Sequence, residues 1–457
     1  MTGAYNQVWL APYNMEYITQ VQVDRAMNVH DKAYVKGLMS ETTLLSYQNM
    51  IDGKTIVSLF FKEGEQTQLM FSGFIERMEV TELGGQREVF MELSGLTQAM
   101  DRNNVVLDYQ DITKTNTDII EELMESYPAI TYEAACRQET IEDLLLQYEE
   151  TDYDFLKRVL SRSGAPVYTT MQGNSGRICY GLSIREAGIT LNQAEWEVGY
   201  EDGVWYRLET DEYLDLGMEV ELDGYKLIVI SVKNQYREGA SVNEYILSTK
   251  EACRTVRKKN KQITGISLDG VIKDCKRDKV KIELSKTRSC EEEKRKWFAY
   301  SSPAASTDGS GWYCMPQTGE EIRLYCPTEE ESDAYVISAI RKKQQEQTDT
   351  KVQQVGTQPE NKVLSNAEGQ SVSFLPEGIE MTCKDGTTAM SMNQNGTIEI
   401  VATKDIHIYA DETVMMRAEQ GVCIMASNTV TLQNDNGSML VIDKEITEDA
   451  NRIKNNC

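Results

Sequence analysis

Cut into eight-residue units, residues 390–437 read MSMNQNGT, IEIVATKD, IHIYADET, VMMRAEQG, VCIMASNT and VTLQNDNG, six units with no slip of register. Position 1 holds Met390, Ile398, Ile406, Val414, Val422 and Val430. Position 3 holds Met392, Ile400, Ile408, Met416, Ile424 and Leu432, and position 5 holds Ala402, Ala410, Ala418 and Ala426. A polar triplet closes each of the middle units: Thr403 to Asp405, Asp411 to Thr413, Glu419 to Gly421 and Ser427 to Thr429. Apolar alternation places successive side chains on opposite faces of a strand, and the triplets carry turn chemistry. Each unit is therefore expected to be one short strand and a corner.

Such a strand offers about two large side chains and one alanine on its inner face, too little for a free-standing sheet. The units must stack. A single-chain β-solenoid is one way to do so, but its coils are usually longer, and the octad lacks the GGxGxD calcium pattern. An intertwined three-chain prism explains the short unit better, because each chain supplies one side and threefold closure removes exposed sheet edges. The axis of that prism is expected to be filled by Ile398, Ile400, Ile406, Ile408, Val414, Met416, Val422, Ile424, Val430 and Leu432.

Upstream of the repeat lies a polar stretch, Lys342 to Ser371, rich in Gln, Thr, Asn and Glu, which reads as an extended or flexible linker. Before it, residues 264–341 alternate strand-like runs with turns (GISLDGVIKDC, KVKIELS, KWFAYSS, GWYCMPQTGEEIRLYCP, AYVISAIR), five short strands in the span of an OB-type barrel. The first 250 residues or so read as α+β. Strands are expected at Tyr17 to Asp24, Thr55 to Lys62, Leu69 to Val80 and Arg87 to Leu93, with more from Val167 to Lys250. Helices are expected at Thr117 to Ser126 and across Thr140 to Ser163, and hairpin turns at Gly85 to Gln86 and Asp223 to Gly224. The fold class is thus mainly β with an α+β N-terminal hub, an OB-type barrel and a C-terminal intertwined trimeric β-helix. Its divisions are a hub of two β-barrel-like parts with inserted helices (1–255), the barrel (264–341), the linker (342–371), the octad needle (372–440) and a tail (441–457).

With 47 Lys plus Arg against 73 Asp plus Glu, the formal charge of −26 excludes nucleic acid or an anionic membrane as the main partner, since phosphate binding needs clustered cations. Ten cysteines form no CxxC pair, and there are two histidines, so zinc and other cofactors are not expected. No basic-then-apolar leader opens the chain and no run of about 18 apolar residues occurs, which predicts synthesis in the cytosol without a membrane span or signal peptide. Reduced thiols fit that compartment.

Three segments in order resemble a known family. LLLQYEETDYDFLKRVLSRSGAPVY (Leu144 to Tyr168) resembles the "QYrEtDydFlsRLlereGi.y" signature of VgrG proteins and phage late-control hub proteins. FSGFIERMEVTE with REVFMELSGLTQAMD resembles the first β-domain of those hubs, and DEYLDLGMEVELDGYKLIVISVKNQYREGASVNEYIL resembles the second. GWYCMPQTGEEIRLYCP with AYVISAIR resembles the OB domain of phage spike and baseplate proteins through Trp312, Pro316, Gly319, Glu320, Ile322, Val336 and Ile337. The octads resemble the VxGxxxxx needle repeat, with Ile or Met at position 3 where that repeat has Gly. The resemblance implies a homotrimeric spike and hub of a contractile injection system, assembled into a phage tail-like particle, whose needle pierces a target cell envelope. Its implied partners are an inner tube protein or tube-initiating hub adaptor, baseplate wedge proteins, a PAAR-like tip protein and cargo effectors.

No enzyme is expected. The roughly 30-residue linker and the roughly 20 residues after the last octad are too short for a catalytic domain. His30 and His407 fall in different expected domains, which leaves no triad, and His407 takes an outward position between Ile406 and Ile408. The pairs Glu149/Glu150 and Glu329/Glu330/Glu331 read as solvated acids in an acidic chain. The run Arg254, Arg257, Lys258, Lys259 and Lys261, without interleaved aromatics, reads as a solvated linker or a contact with an acidic neighbour chain. The competing readings are a β-solenoid polysaccharide-degrading enzyme and a glycan-binding adhesin.

Overall fold

A computed structural model describes residues 8–41, 53–63, 66–171, 175–191, 195–201, 203–237, 240–286, 288, 290–301, 315–338, 360–366, 368–383, 386–443 and 446–449. Most of the expected linker, the expected barrel residue Trp312 and the last residues of the tail lie outside these. The chain divides into two compact units at Arg341 and Lys342.

The first unit is organised by one 12-stranded sheet built from two six-stranded halves. Strands 8–11, 17–26, 32–38, 57–63, 66–83 and 86–95 form the first half, and strands 185–191, 196–200, 204–209, 218–222, 225–237 and 240–248 form the second. Edge joins edge where Gln20–Ala26 runs antiparallel to Ser231–Arg237. Each half keeps its own apolar core, with Val21, Val23, Val35, Leu59, Phe71 and Met91 in one and Leu208, Val220, Val229, Tyr245 and Leu247 in the other. The hairpin turn expected at Asp223–Gly224 forms with both residues at positive φ (47° and 84°), as a two-residue loop between twisted strands requires. The one expected at Gly85–Gln86 sits one residue earlier, on Gly84 and Gly85 (φ 60° and 85°), because Leu83 pairs with Gln86.

Two helices are inserted between the halves. Helix α1 (Asn116–Met124) starts on a capping box in which Thr115 accepts from the Asp118 amide and the Asp118 carboxylate accepts from the Thr115 amide. Helix α2 (Asp152–Ser161) is shorter than the sequence predicts. The expected helix across Thr140 to Ser163 is broken, since Leu145–Glu150 is a strand paired with Val105–Tyr109. Glu149 adopts a φ of 48°, and the Thr151 side chain caps α2 by accepting from the Asp154 amide. A local stop thus overrides the apolar spacing.

The barrel strands are 267–276, 279–284, 298–299, 321–325 and 335–338. Their order in the sheet is third, second, first, fourth, fifth, and a parallel bridge from Tyr300 to Val336 joins the third strand's end to the fifth. That closure gives the five-stranded OB topology expected for this segment. Ile272, Val280, Ile282, Phe298, Leu324 and Val336 fill it.

In the second unit, strands 362–365, 371–375, 378–383, 388–393 and 398–401 form an antiparallel meander. Its first strand occupies the end of the segment read as linker. The first and last octads differ from the expectation of uniform coils: Met390 and Met392 lie on the strand that pairs back onto Ile398–Val401, and Val430–Gln433 pairs onto Met439–Ile442. Gly396 and Gly437, both at positive φ, turn these hairpins. Between the hairpins, residues 402–429 run extended with bends at 403–404, 411–412, 419–420 and 427–428, an eight-residue period that falls in the polar triplets. The four apolar cores of the described residues all belong to the first unit.

Candidate functional site

The VgrG-like signature makes a clamp between hub and barrel. Side chains of its Leu144–Leu146 run divide between two cores: Leu145 packs with Ile119, Phe155 and Leu156 of the helical insert, while Leu144 and Leu146 pack with Ile272, Val280 and Val336 of the barrel. One strand is a wall shared by both domains.

Arg158, on α2, stands at the centre with 3% of its surface exposed. Its Nε donates to Glu150 Oε1 at 2.9 Å, Nη2 donates to Glu150 Oε2 at 3.0 Å and to the Leu146 carbonyl at 2.9 Å, and Nη1 donates to Glu331 Oε1 at 2.5 Å. Glu331 belongs to the barrel's turn before its last strand, and its other oxygen accepts from Arg162 at 3.2 Å. Burial opposes the charge on Arg158, but Glu331 and Glu150 outweigh it and hold the guanidinium above its ordinary pKa. Burial pushes Glu150 up although Arg158 pulls it down. Such a pair gains little from being buried, yet losing one partner strands a charge in a dry site.

Around this centre the rest of the motif is structural. The Gln147 amide and the Tyr127 hydroxyl donate to the two oxygens of Asp152 at 2.8 and 2.7 Å. Thr151 donates to Asp101 at 2.5 Å, and Asp101 faces His30 Nε2 at 3.1 Å. The Thr97 hydroxyl lies 2.8 Å from His30 Nδ1. This hydroxyl, imidazole and carboxylate row is one the sequence hid, since His30 lies 67 and 71 residues from its partners. Thr97 is 2% exposed, so the row ties strands to the insert and presents no nucleophile to solvent.

The charge runs read as solvated instead meet each other. Arg257 pairs with Glu330 at 2.8 Å, and Lys259 with Glu329 at 3.0 Å and Glu330 at 2.7 Å. The basic segment leaving the hub passes the acidic turn of the barrel, and opposite charges line up there. Glu150, half-buried, and Glu331, buried, are likewise corrected from solvated acids to partners of Arg158.

At the seam of the two hub halves, Arg25 and Asp215 are both buried, with Nη1 2.8 Å from Oδ1, an ion-pair contact rather than an aligned hydrogen bond. Asp215 accepts from Thr170, Met171 N and Leu216 N, and buried Asp31 accepts from Thr169.

The ten residues expected on the needle axis are not brought together within one chain. Ile406, Ile408, Val414, Met416, Val422 and Ile424 are 53–69% exposed, whereas Tyr409, Met415 and Met425 at positions 2 and 4 are 81–88% exposed. The His407 ring stacks on Tyr409. Among the described residues, no cluster of His, Cys, Asp or Glu suited to a metal occurs, and no helix is long and apolar enough to cross a membrane.

This fold, a two-part β hub with a helical insert, an OB barrel and a β repeat, is that of the VgrG and phage tail-spike proteins. No family model matches the chain, and no curated protein matches it in sequence. The likeness is structural. The Escherichia coli c3393 protein, described as a component of the type VI secretion system with structural similarity to bacteriophage T4 tail proteins gp27 and gp5, matches at 11% identity and a TM-score of 0.53, over 72% of this chain and 99% of its own. A chain of the Francisella PdpA-VgrG complex matches at 8% identity over 86% of this chain. In the half-lidded form the TM-score is 0.54 over 87% of that chain, and in the lidded form 0.53 over 79%.

Proposed function

We propose that this chain is the trimeric central spike and hub of a contractile injection system, joining a hexameric inner tube to a needle that punctures the target envelope. The carrying observation is the run 402–429. It bends every eight residues, exposes its apolar positions and forms no strand ladder with the described residues of the chain. Extended backbone that lacks partners of its own, next to unburied Ile, Val and Met, calls for pairing with other chains. A single-chain solenoid, as in a polysaccharide-degrading enzyme, would stack its coils on each other within the chain, and among the described residues this run has no such pairing.

The hub supports the same reading. Two six-stranded halves per chain supply six docking positions in a trimer, which suits a threefold spike below a sixfold tube. The work of such a protein is mechanical, and the signature motif serves it as a clamp rather than as catalytic machinery. On this reading the chain is made in the cytosol and assembles with tube, baseplate wedge and PAAR-like tip proteins, with cargo effectors as further partners.

Mass photometry of the purified full chain tests the proposal. The expected particle is about three times the 51.8 kDa protomer. A clean monomer at micromolar concentration refutes the three-chain needle.

A further inference from the structure

The turn between strands Tyr17–Ala26 and Lys32–Leu38 is a joint between several parts of the first unit. The Met27 amide donates to the Ile230 carbonyl of the second hub half at 3.0 Å, and the Asn28 amide donates to the Val167 carbonyl at 2.7 Å. Asn28, at a φ of 63°, accepts in return from the Val167 amide at 2.9 Å, and its Nδ2 donates at 3.4 Å to Thr255, on the segment that leaves the hub. His30 meets Thr97 and Asp101 at 2.8 and 3.1 Å, on the short helix Leu96–Asp101. The Asp31 carbonyl accepts from the Gly95 amide at 2.8 Å. Both hub halves, the insert side and the exit segment therefore meet on Met27–Asp31.

Charge beneath this turn does not balance. Two buried carboxylates, Asp31 and Asp215, share one buried guanidinium, Arg25. Asp215 has the Arg25 contact at 2.8 Å and accepts from the Thr170 hydroxyl and the Met171 and Leu216 amides at 2.6–2.9 Å. Asp31 accepts from the Thr169 hydroxyl, and among the described residues its Oδ1 has no partner. Tyr153 of α2 is the further titratable group facing Asp31, and Tyr213 faces Arg25. The His30 ring turns away, stacking on Tyr153 at 4.2 Å with Nε2 toward Asp101. A second negative charge in this dry site thus lacks both a cation of its own and a full set of donors, so the closed site holds a proton on Asp31.

We propose that the Met27–Asp31 turn is a proton-operated latch: with Asp31 protonated it holds the hub halves, the insert side and the exit segment together, and with Asp31 ionised it opens locally. The proton leaves to solvent as the turn opens and the carboxylate reaches water. Burial lifts the Asp31 carboxyl from its ordinary 3.8 to about 7 in the closed site, against Arg25 and Thr169, which pull it down. The closed form therefore binds the proton more tightly than the open one. Closure is strongest in acid, weakens as pH rises from about 4 to about 7, and changes no further above that. The latch belongs to a single chain and is independent of the trimeric reading.

The test is amide hydrogen exchange of the purified full chain at pH 5, 6, 7 and 8, each series corrected for the intrinsic pH dependence of exchange. Protection of the Met27, Asn28, Gly95 and Val167 amides should fall by up to about tenfold per pH unit between pH 5 and 7 and then level off. At pH 8 these amides should be less protected than those of Val280 and Ile282 in the barrel. The variant Asp31→Asn should make their protection independent of pH. Unchanged protection from pH 5 to 7, or a full pH dependence kept by Asp31→Asn, overturns the latch. Joint amides as protected at pH 8 as the barrel amides also overturn it, because the turn then opens only with the whole unit. Should the variant not fold, infrared spectroscopy of the parent chain decides: a protonated-carboxyl band present at pH 6 and gone by pH 8 supports the latch, and its absence at pH 6 overturns it.

Discussion

Replacing Arg158 by Met is the sharpest test of the clamp, because a side chain of similar length keeps most of the packing while the charge is lost. Glu150 would lose the donors at 2.9 and 3.0 Å, and the Leu146 carbonyl would lose its donor from Nη2. Glu331 would keep Arg162 at 3.2 Å, so one of the two carboxylates retains a cation. Truncating one partner of a buried pair costs roughly 3–5 kcal/mol, and the remaining Arg162 contact argues for the lower half of that range. With an unfolding entropy of about 2.1 cal/mol/K per residue, the unit Met1–Arg341 shifts by roughly 1.4 °C per kcal/mol, so its melting temperature should fall by on the order of 5 °C. Differential scanning calorimetry of the full chain reads this directly. A double-mutant cycle with Glu331→Gln should return a coupling of about 1–3 kcal/mol, because the two groups touch. If Arg158→Met melts within about 2 °C of the parent, or the cycle is additive within about 0.3 kcal/mol, the clamp is incidental packing and the reasoning fails.

Burial pushes the Asp31 carboxyl from its ordinary 3.8 up to about 7, against Arg25 and Thr169, which pull it down. A carboxyl raised in the folded state binds its proton more tightly there, so its contribution is favourable at low pH and is lost as pH rises from about 4 to about 7. Asp31→Asn should therefore gain roughly 2–3 kcal/mol more at pH 8 than at pH 5 in urea unfolding, and a pH-independent difference would reject the assignment. In the needle, Ile408→Asp would set three carboxylates on the proposed axis at several kcal/mol each, whereas Tyr409→Asp should stay within about 0.5 kcal/mol. Detergent resistance of the full-length trimer distinguishes them, and loss on Tyr409→Asp with retention on Ile408→Asp means the two faces are reversed.

Short-range features were legible because they are encoded within a few residues. The octad register set where the chain bends, since a polar triplet at the end of each short apolar run supplies turn chemistry wherever the strand goes. Thr115 and Asp118 set the start of α1, the Asp223–Gly224 turn set a hairpin, and five apolar runs set the five barrel strands. Leu144–Leu146 was not legible in the same way: a strand buried on both sides has no alternation, and three leucines read equally well as helix. Partnership across long separations was hidden altogether. Arg158 and Glu331 are 173 residues apart, and the basic and acidic runs look solvated until the barrel brings one beside the other. The local sequence determined which backbone shapes the chain can adopt, because steric and turn preferences act between neighbours. Only the tertiary structure decided which charges are buried together and which apolar faces remain uncovered, because both depend on what the folded chain excludes from water.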